Sequence, residues 1–398
     1  MKKKEKPVVR LKPKSSLGQL FMGFPWVYDN ELVLDRRTKA IPPGSIAVLQ
    51  NAERKPLAVV AFNPKSKISV RILDLDPETE IDLFWIRSKI RRAAKMRYRL
   101  FKQPYYRLVH AEADGLPGLI IDRFGDIIVI QPNSAWAEVK LLEICQAVRD
   151  VTKITTIFKN TSGRARLLEG LEGKNEVICG ILPKDPILIP MNGAIYMVDL
   201  VSGQKTGFFY DQRSNHSFVA SLAKGAKVLD VFCYVGGFGL AALASGATSV
   251  LAVDGSKSAL DLAEASAIES GFKERFSTLK GDAFDILADL GRSGEKFDVV
   301  ICDPPAFASS KKSLDAGLRA YEKLAQLASI LVKEDGFLGL CSCSHAADIS
   351  KFKTVSVRGI RRAGRTATLI HTGFASADHP QHALLSESGY LKSLFFRL

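Results

Sequence analysis

The sequence predicts an α/β protein: a doubly wound, mostly parallel sheet in the C-terminal half, preceded by a small β domain and an α+β segment. Three observations carry that prediction. Residues 228–239, VLDVFCYVGGFG, are an apolar strand pattern that stops at a glycine cluster and runs on into a helical pattern. From residue 228 onward, apolar strands at 228–232, 250–253, 297–302 and 337–341 alternate with helical patterns at 256–269 and 315–332, as βαβ units do. Residues 7–75 read instead as short strands punctuated by Pro42-Pro43-Gly44 and Asn63-Pro64.

Composition narrows the class. The 398 residues carry 56 Lys+Arg against 42 Asp+Glu, a net charge of +14, which favours a polyanionic partner, nucleic acid first. The six cysteines, Cys145, Cys179, Cys233, Cys302, Cys341 and Cys343, are scattered and include no CxxC pair, so neither a disulfide framework nor a metal site is expected. No apolar run is long enough to cross a bilayer, and the basic start MKKKEK leads into no apolar segment. The expected compartment is the cytoplasm.

In chain order, residues 1–75 form the β domain, with Lys12 and Lys14 on its basic surface. Residues 76–185 form the α+β domain. Its first helix places Leu83, Ile86, Ile90 and Ala93 on one face and Arg87, Lys89, Arg91, Arg92, Lys95, Arg97 and Arg99 on the other. That cationic face is either a phosphate contact or simply solvated. Apolar runs at 119–121 and 127–130 flank a tight turn, as in a hairpin, and 135–151 has helical periodicity. Pro183, Pro186 and Pro190 mark 182–190 as an extended linker, and residues 186–398 form the third domain.

The candidate site lies along the carboxyl ends of the predicted strands. Gly236, Gly237 and Gly239 allow backbone to approach a nucleotide-like ligand. Asp254 ends the second strand, where an acid takes ribose hydroxyls. Asp282 ends the third and either accepts from an adenine amino group or is a surface-turn acid. Asp303-Pro304-Pro305 fixes an acid rigidly at the edge of the fourth strand, since two prolines cannot continue a ladder. Cys343 follows the fifth strand and is read as a nucleophile, whereas Cys341 and the other four are read as buried structural residues. His345 either lowers the pKa of Cys343 or is a solvated loop histidine.

These motifs resemble the class I S-adenosylmethionine-dependent methyltransferases, and more narrowly the bacterial 23S rRNA large-subunit methyltransferase I family, which makes 5-methylcytosine. The resemblance rests on Phe24-Pro25-Trp26-Val27-Tyr28, Ala113-Asp114-Gly115-Leu116-Pro117-Gly118, Asp122-Arg123-Phe124-Gly125, Lys205-Thr206-Gly207, Asp211-Gln212-Arg213, Tyr234-x-Gly236-Gly237-Phe238, Asp303-Pro304-Pro305-x-Phe307, Ser342-Cys343-Ser344 and Ala377-Asp378-His379-Pro380. It implies a PUA-like RNA-binding β barrel at the start and a Rossmann-like methyltransferase domain at the end. It implies S-adenosyl-L-methionine as cofactor, held by Gln212, Phe232, Tyr234, Gly236, Gly237, Asp254, Asp282, Asp303 and Pro304, with Cys343 and Asp303 catalytic. RNA, 23S rRNA first, is the implied partner, contacted by Lys12, Lys14, Arg87, Lys89, Arg91, Arg92 and Lys95. A homodimer is the oligomer considered. The chain departs from the family at Ala306, at Glu322 between Tyr321 and Lys323, at Ala325 and at His345-Ala346-Ala347.

The implied chemistry is transfer of a methyl group to C5 of a cytosine through a covalent cysteine adduct. The rivals are guanine-nitrogen methylation, which needs no cysteine, uracil-C5 methylation, and an RNA-binding assembly factor with no catalysis.

Overall fold

A computed structural model describes residues 5–13, 15, 17–184, 186–201, 203, 206–308 and 310–398, so Lys14 and Lys205 lie outside the described residues. The chain divides into two compact units. One comprises Met1–Lys184 with Gln204–Thr206 and Pro380–Ser388, the other Asp185–Gly203, Gly207–His379 and Gly389–Leu398.

The first unit opens with β1 (Val8–Arg10), α1 (Leu17–Met22), β2 (Trp26–Val27), α2 (Arg36–Lys39), β3 (Ser45–Gln50), β4 (Pro56–Phe62) and β5 (Val70–Asp74). The strands form one sheet in the order β1-β3-β4-β5-β2, closed over Val9, Leu49, Val60, Phe62 and Val70. Helix α3 (Leu83–Leu100) follows, capped by Asp82, whose carboxylate accepts the Trp85 N–H at 2.8 Å. Then come β6 (Tyr105–His110), β7 (Leu119–Phe124), β8 (Ile127–Pro132), α4 (Ala135–Val139), α5 (Leu141–Thr152), β9 (Thr156–Lys159), α6 (Arg164–Leu168) and β10 (Glu176–Cys179). The expected hairpin is β7–β8, within the sheet β10-β9-β8-β7-β6. The helix expected over 135–151 is broken at Lys140, whose φ of −93° and ψ of 12° are not helical. Helices α3 and α5 bury Ile86, Ile90, Ile144 and Val148 against Ile121 and Ile128 of the sheet.

Polar contacts tie the two sheets of this unit. Glu169 is buried and accepts from Asn63 at 3.0 Å, Ser66 at 2.8 Å and Arg71 at 3.0 Å. Arg71 also reaches Glu112 at 2.7 Å, and Glu112 accepts from the Trp26 indole at 2.8 Å.

The second unit begins with β11 (Ile187–Met191) and β12 (Ala194–Val198), an antiparallel pair. The second half of the expected linker is therefore a strand. Its turn, Asn192-Gly193, has φ of 50° and 78°, the left-handed pair that suits a two-residue hairpin. Pro190 is tolerated because this ribbon has only two strands and leaves edges where no N–H is needed.

The principal sheet is built from α7 (Arg213–Leu222), β13 (Lys227–Val231), α8 (Gly237–Ala244), β14 (Ser249–Asp254), α9 (Lys257–Glu269), β15 (Phe276–Lys280), α10 (Ala283–Arg292), β16 (Phe297–Cys302), α11 (Leu314–Leu331), β17 (Val332–Ser342), α12 (Ile349–Arg362), β18 (Thr368–Phe374) and β19 (Lys392–Arg397). Strand order is β15-β14-β13-β16-β17-β19-β18. All neighbours are parallel except β19, which runs antiparallel to both β17 and β18. The order reverses between β13 and β16, which opens a crevice at their carboxyl ends. Val228, Leu229, Val231, Val299 and Val300 are fully buried, as strands covered by helices on both faces require. No described helix is long and apolar enough to cross a membrane.

Helices α11 and α12 cross closely at Gly359, where an added Cβ would lie 2.3 Å from the Glu322 carbonyl and 2.8 Å from the Ala325 Cβ. The family departure at Ala325 is thus a buried contact between helices. Gly359→Ala is expected to cost about 1–3 kcal/mol despite the better helix propensity of alanine. The thermal unfolding midpoint of the full chain checks this, and an unchanged or raised midpoint contradicts it.

Candidate active site

Strand β13 delivers a strained loop into the crevice. Phe232 and Tyr234, neither of them glycine, hold φ of 61° and 49°, and Gly236 follows at 82°. Such conformations persist only where the surroundings enforce them. Asp254, at the end of β14, accepts the Tyr234 N–H at 2.9 Å and the Ser256 N–H at 2.8 Å. At Gly237 a Cβ would lie 2.7 Å from the ring of His216, a buried imidazole that burial pushes down to about 3 and keeps neutral.

Asp230, which sequence reasoning passed over, anchors this loop from below. It is wholly buried in β13 and accepts the Gly239 N–H at 2.8 Å. Burial pushes its carboxyl up to about 7, opposed by the Gly239 hydrogen bond. The signal was present in the sequence, as an acid inside an otherwise apolar strand, Val228-Leu229-Asp230-Val231. Asp282 caps α10, its carboxylate accepting the N–H groups of Phe284 at 2.9 Å and Asp285 at 3.3 Å.

The end of β16 carries Asp303, half-buried, and the buried Pro304. Gln212 donates to Asp303 at 2.9 Å and accepts from Asn215 at 2.6 Å, so its amide is fixed in one orientation. On neighbouring β17, Cys341 is buried and bonded to Ser393 at 3.1 Å, and burial pushes its thiol well up. Cys145, Cys233 and Cys302 are also buried, and burial raises all three thiols.

Cys179, expected to be buried, is instead half-buried because it ends the edge strand β10, and Cys343, just past β17, is half-buried too. Its flanking serines are both held. The Tyr321 hydroxyl lies 2.8 Å from the Ser344 hydroxyl and accepts from Ser342 at 2.9 Å, and Ser344 accepts the Ala308 N–H at 2.9 Å. Parallel pairing of β16 with β17 brings Asp303 and Cys343 to the same edge of the sheet. His345 is exposed, its ring 5.8 Å from that of Tyr390. A buried cation that sequence reasoning missed, Lys392, donates to the Ser344 carbonyl at 2.6 Å.

The cationic residues of the other unit sort into two groups. Arg97 is buried and makes a two-pronged pair with Asp114 at 2.7 and 2.8 Å, so it leaves the expected cationic face. Arg87 pairs with Asp150 at 3.2 Å, and Lys89 lies 3.9 Å from Asp74 and over the Trp85 ring, so both charges are partly compensated. Arg91, Arg92, Lys95 and Arg99 are exposed, and Arg91, Lys95, Tyr98 and Arg99 line a groove of about 420 Å³ beside α3. Lys12 is exposed, with its ammonium on the Asn30 carbonyl at 2.8 Å. Among the described residues no acidic, histidine or cysteine cluster suits a metal ion.

An open α/β sheet with a strained glycine loop and an acid at the end of its second strand defines a nucleotide-type binding crevice. The profile of the S-adenosylmethionine-dependent methyltransferases matches residues 133–365, and that of PUA-like domains matches residues 9–75. The protein is an S-adenosylmethionine-dependent methyltransferase. Ribosomal RNA large subunit methyltransferase I of Aeromonas hydrophila is 36% identical over 95% of this chain and 96% of its own, and that of Vibrio cholerae is 34% identical over 92% and 94%. The chain therefore belongs to the ribosomal RNA large subunit methyltransferase I family. In fold it is similar to a Streptococcus mutans methyltransferase at a TM-score of 0.83, with 19% identity, covering 98% of this chain and 100% of that one.

Asp230 makes the cradle's stability pH-dependent. Its carboxyl rises from 3.8 unfolded to about 7 folded, so between those values the native state holds a proton that the unfolded chain has lost. The contribution of this group to stability therefore falls as pH rises through that window. Asp230→Asn is expected to flatten that fall, read from unfolding midpoints between about pH 4 and pH 8. Parallel curves for the two proteins would show that Asp230 carries no such load.

Proposed function

We propose that this protein methylates C5 of a cytosine in large-subunit (23S) ribosomal RNA, using Cys343 as a covalent nucleophile. The observation that carries the reading is that Asp303 and Cys343 both follow the carboxyl ends of adjacent parallel strands, with both serines beside Cys343 already engaged. The substrate class follows that of the relatives, which are ribosomal RNA large subunit methyltransferases. The PUA-like match adds the RNA side.

S-adenosylmethionine supplies an electrophilic sulfonium methyl. In this reading the loop Phe232–Gly237 would hold it, with Asp254 available to its ribose hydroxyls, Asp282 to its adenine amino group, and Gln212, Asp303 and Pro304 beside the transferring methyl. Cytosine C5 is a poor nucleophile. Addition of the Cys343 thiolate to C6 forms an S–C6 bond and moves the C5=C6 electron pair onto C5. Asp303, protonated and steadied by Gln212, donates to N3 and stabilises the adduct. Once C5 carries the methyl, its proton passes to solvent, the C5–H pair restores the C5=C6 bond, the S–C6 bond breaks with its pair returning to the Cys343 Sγ, and N3 gives its proton back to Asp303. The target base must leave its stack to reach the site.

RNA carrying 5-fluorocytosine has no C5 proton to lose, so the adduct should persist. Incubation with protein and S-adenosylmethionine is expected to give a shifted band on a denaturing gel, absent for Cys343→Ala. Methyl transfer to ordinary RNA by Cys343→Ala would sink the covalent mechanism and favour a guanine nitrogen.

For RNA affinity the reading relies on the exposed Arg91, Arg92 and Lys95, with Lys12 on the β domain. Arg87 and Lys89 contribute less because their charges are partly compensated. Replacing Arg91, Arg92 and Lys95 together by alanine is expected to weaken RNA binding and to lower the slope of log K against log salt by roughly two, with donor affinity unchanged. An unchanged slope would remove this helix from the RNA path.

A further inference from the structure

We propose that Lys392 sets Cys343 up as a thiolate, serving as the positioning cation of the nucleophile; the inference rests on Cys343 being that nucleophile. Lys392 begins β19, which runs antiparallel to β17, and the register sets Lys392 opposite Ser342, one residue before Cys343. It is 5% exposed, and an ammonium at that depth needs a compensating partner. Its hydrogen bonds go to two neutral acceptors, the carbonyls of Ser344 at 2.6 Å and Tyr390 at 3.0 Å. Among the described residues no carboxylate lies within ion-pair distance of it, and its third N–H has no other protein acceptor.

The charges that act on Lys392 point the same way. Burial pulls its pKa below the ordinary lysine value, and negative charge at Cys343, then at Asp348, opposes that shift. Asp348 is exposed, caps α12, and already accepts from Lys351 at 2.5 Å, so its field is partly spent. Tyr321 also faces Cys343 and is itself harder to ionise because of burial, so it supplies no competing anion. His345, the residue nearest in sequence that could have served, is exposed. A thiolate at Cys343 is the anion that Lys392 lacks.

The electron accounting is closed. Ionisation of the thiol releases a proton to solvent and leaves an electron pair on Sγ beside the ammonium. Addition spends that pair in the S–C6 bond, and elimination returns it to Sγ. Lys392 therefore favours both the attacking thiolate and the departing one, and no oxidant or reductant is involved.

Alkylation by iodoacetamide reads the thiolate directly, resolved to the Cys343 peptide by mass spectrometry and followed against pH in the full chain without RNA. In the unmodified protein the apparent pKa of Cys343 is expected to lie below the ordinary thiol value of about 8.5. In Lys392→Met it is expected to rise by at least one unit, slowing alkylation near pH 7 about tenfold, while Lys392→Arg keeps most of the reactivity. An unmodified protein that titrates at or above the ordinary value overturns the proposal, whether or not the variants fold. So does a Lys392→Met protein that binds S-adenosylmethionine normally and keeps the original pH profile. Because this readout contains no RNA, it separates failure of the ammonium–thiolate pair from failure of the cytosine reading, which the Cys343→Ala methyl-transfer assay reports on its own.

Discussion

The hydrogen bond from the Gly239 N–H to the buried Asp230 is the constraint on which the catalytic unit depends. It holds the first turn of α8 against β13 and so fixes where the loop 232–236 stands. That loop contains two non-glycine residues in the left-handed region, a conformation the chain would abandon without a fixed point beneath it. Asp254 secures the same loop from the neighbouring strand through the Tyr234 N–H. A strand acid below and an edge acid beside it thus turn an intrinsically unfavourable loop into a preformed cradle.

The other half of the site relies on the opposite principle, exhaustion of competing polar groups. In Ser342-Cys343-Ser344 the two hydroxyls are consumed by Tyr321 and by the Ala308 backbone. Gln212 is consumed on both sides, by Asp303 and by Asn215. Rigid neighbours place a reactive group more accurately than free ones, because their rotamers are already chosen before substrate arrives.

Much of this was legible in the sequence. The strand-glycine-helix pattern at 228–239, the alternation that follows it, and the acids at the strand ends located the crevice, because parallel strands bury apolar runs and expose what comes after them. Less legible was anything set by pairing between distant segments. The ion pairs of Arg87 and Arg97 and the approach of Lys392 to the Ser344 carbonyl depend on partners that periodicity cannot reveal. The hairpin at 187–198 was hidden by three nearby prolines, although Asn192-Gly193 is itself a strong turn signal. The helix over 135–151 breaks at Lys140 within an unbroken helical pattern.

The antiparallel register of β19 against β17 has a consequence for how this gene product tolerates change. Side chains alternate faces along a strand, so a slip of one residue would carry the Lys392 ammonium to the far face of the sheet and bring Leu391 or Ser393 in its place. A single-residue insertion or deletion within β19 therefore removes the Lys392 hydrogen bond to the Ser344 carbonyl as completely as a substitution of Lys392 would, even though every apolar residue of the strand survives. Length changes in a surface connection cost little chain entropy by comparison. The permissive and forbidden positions for insertions in this region are separated by register, not by distance from the reacting atoms.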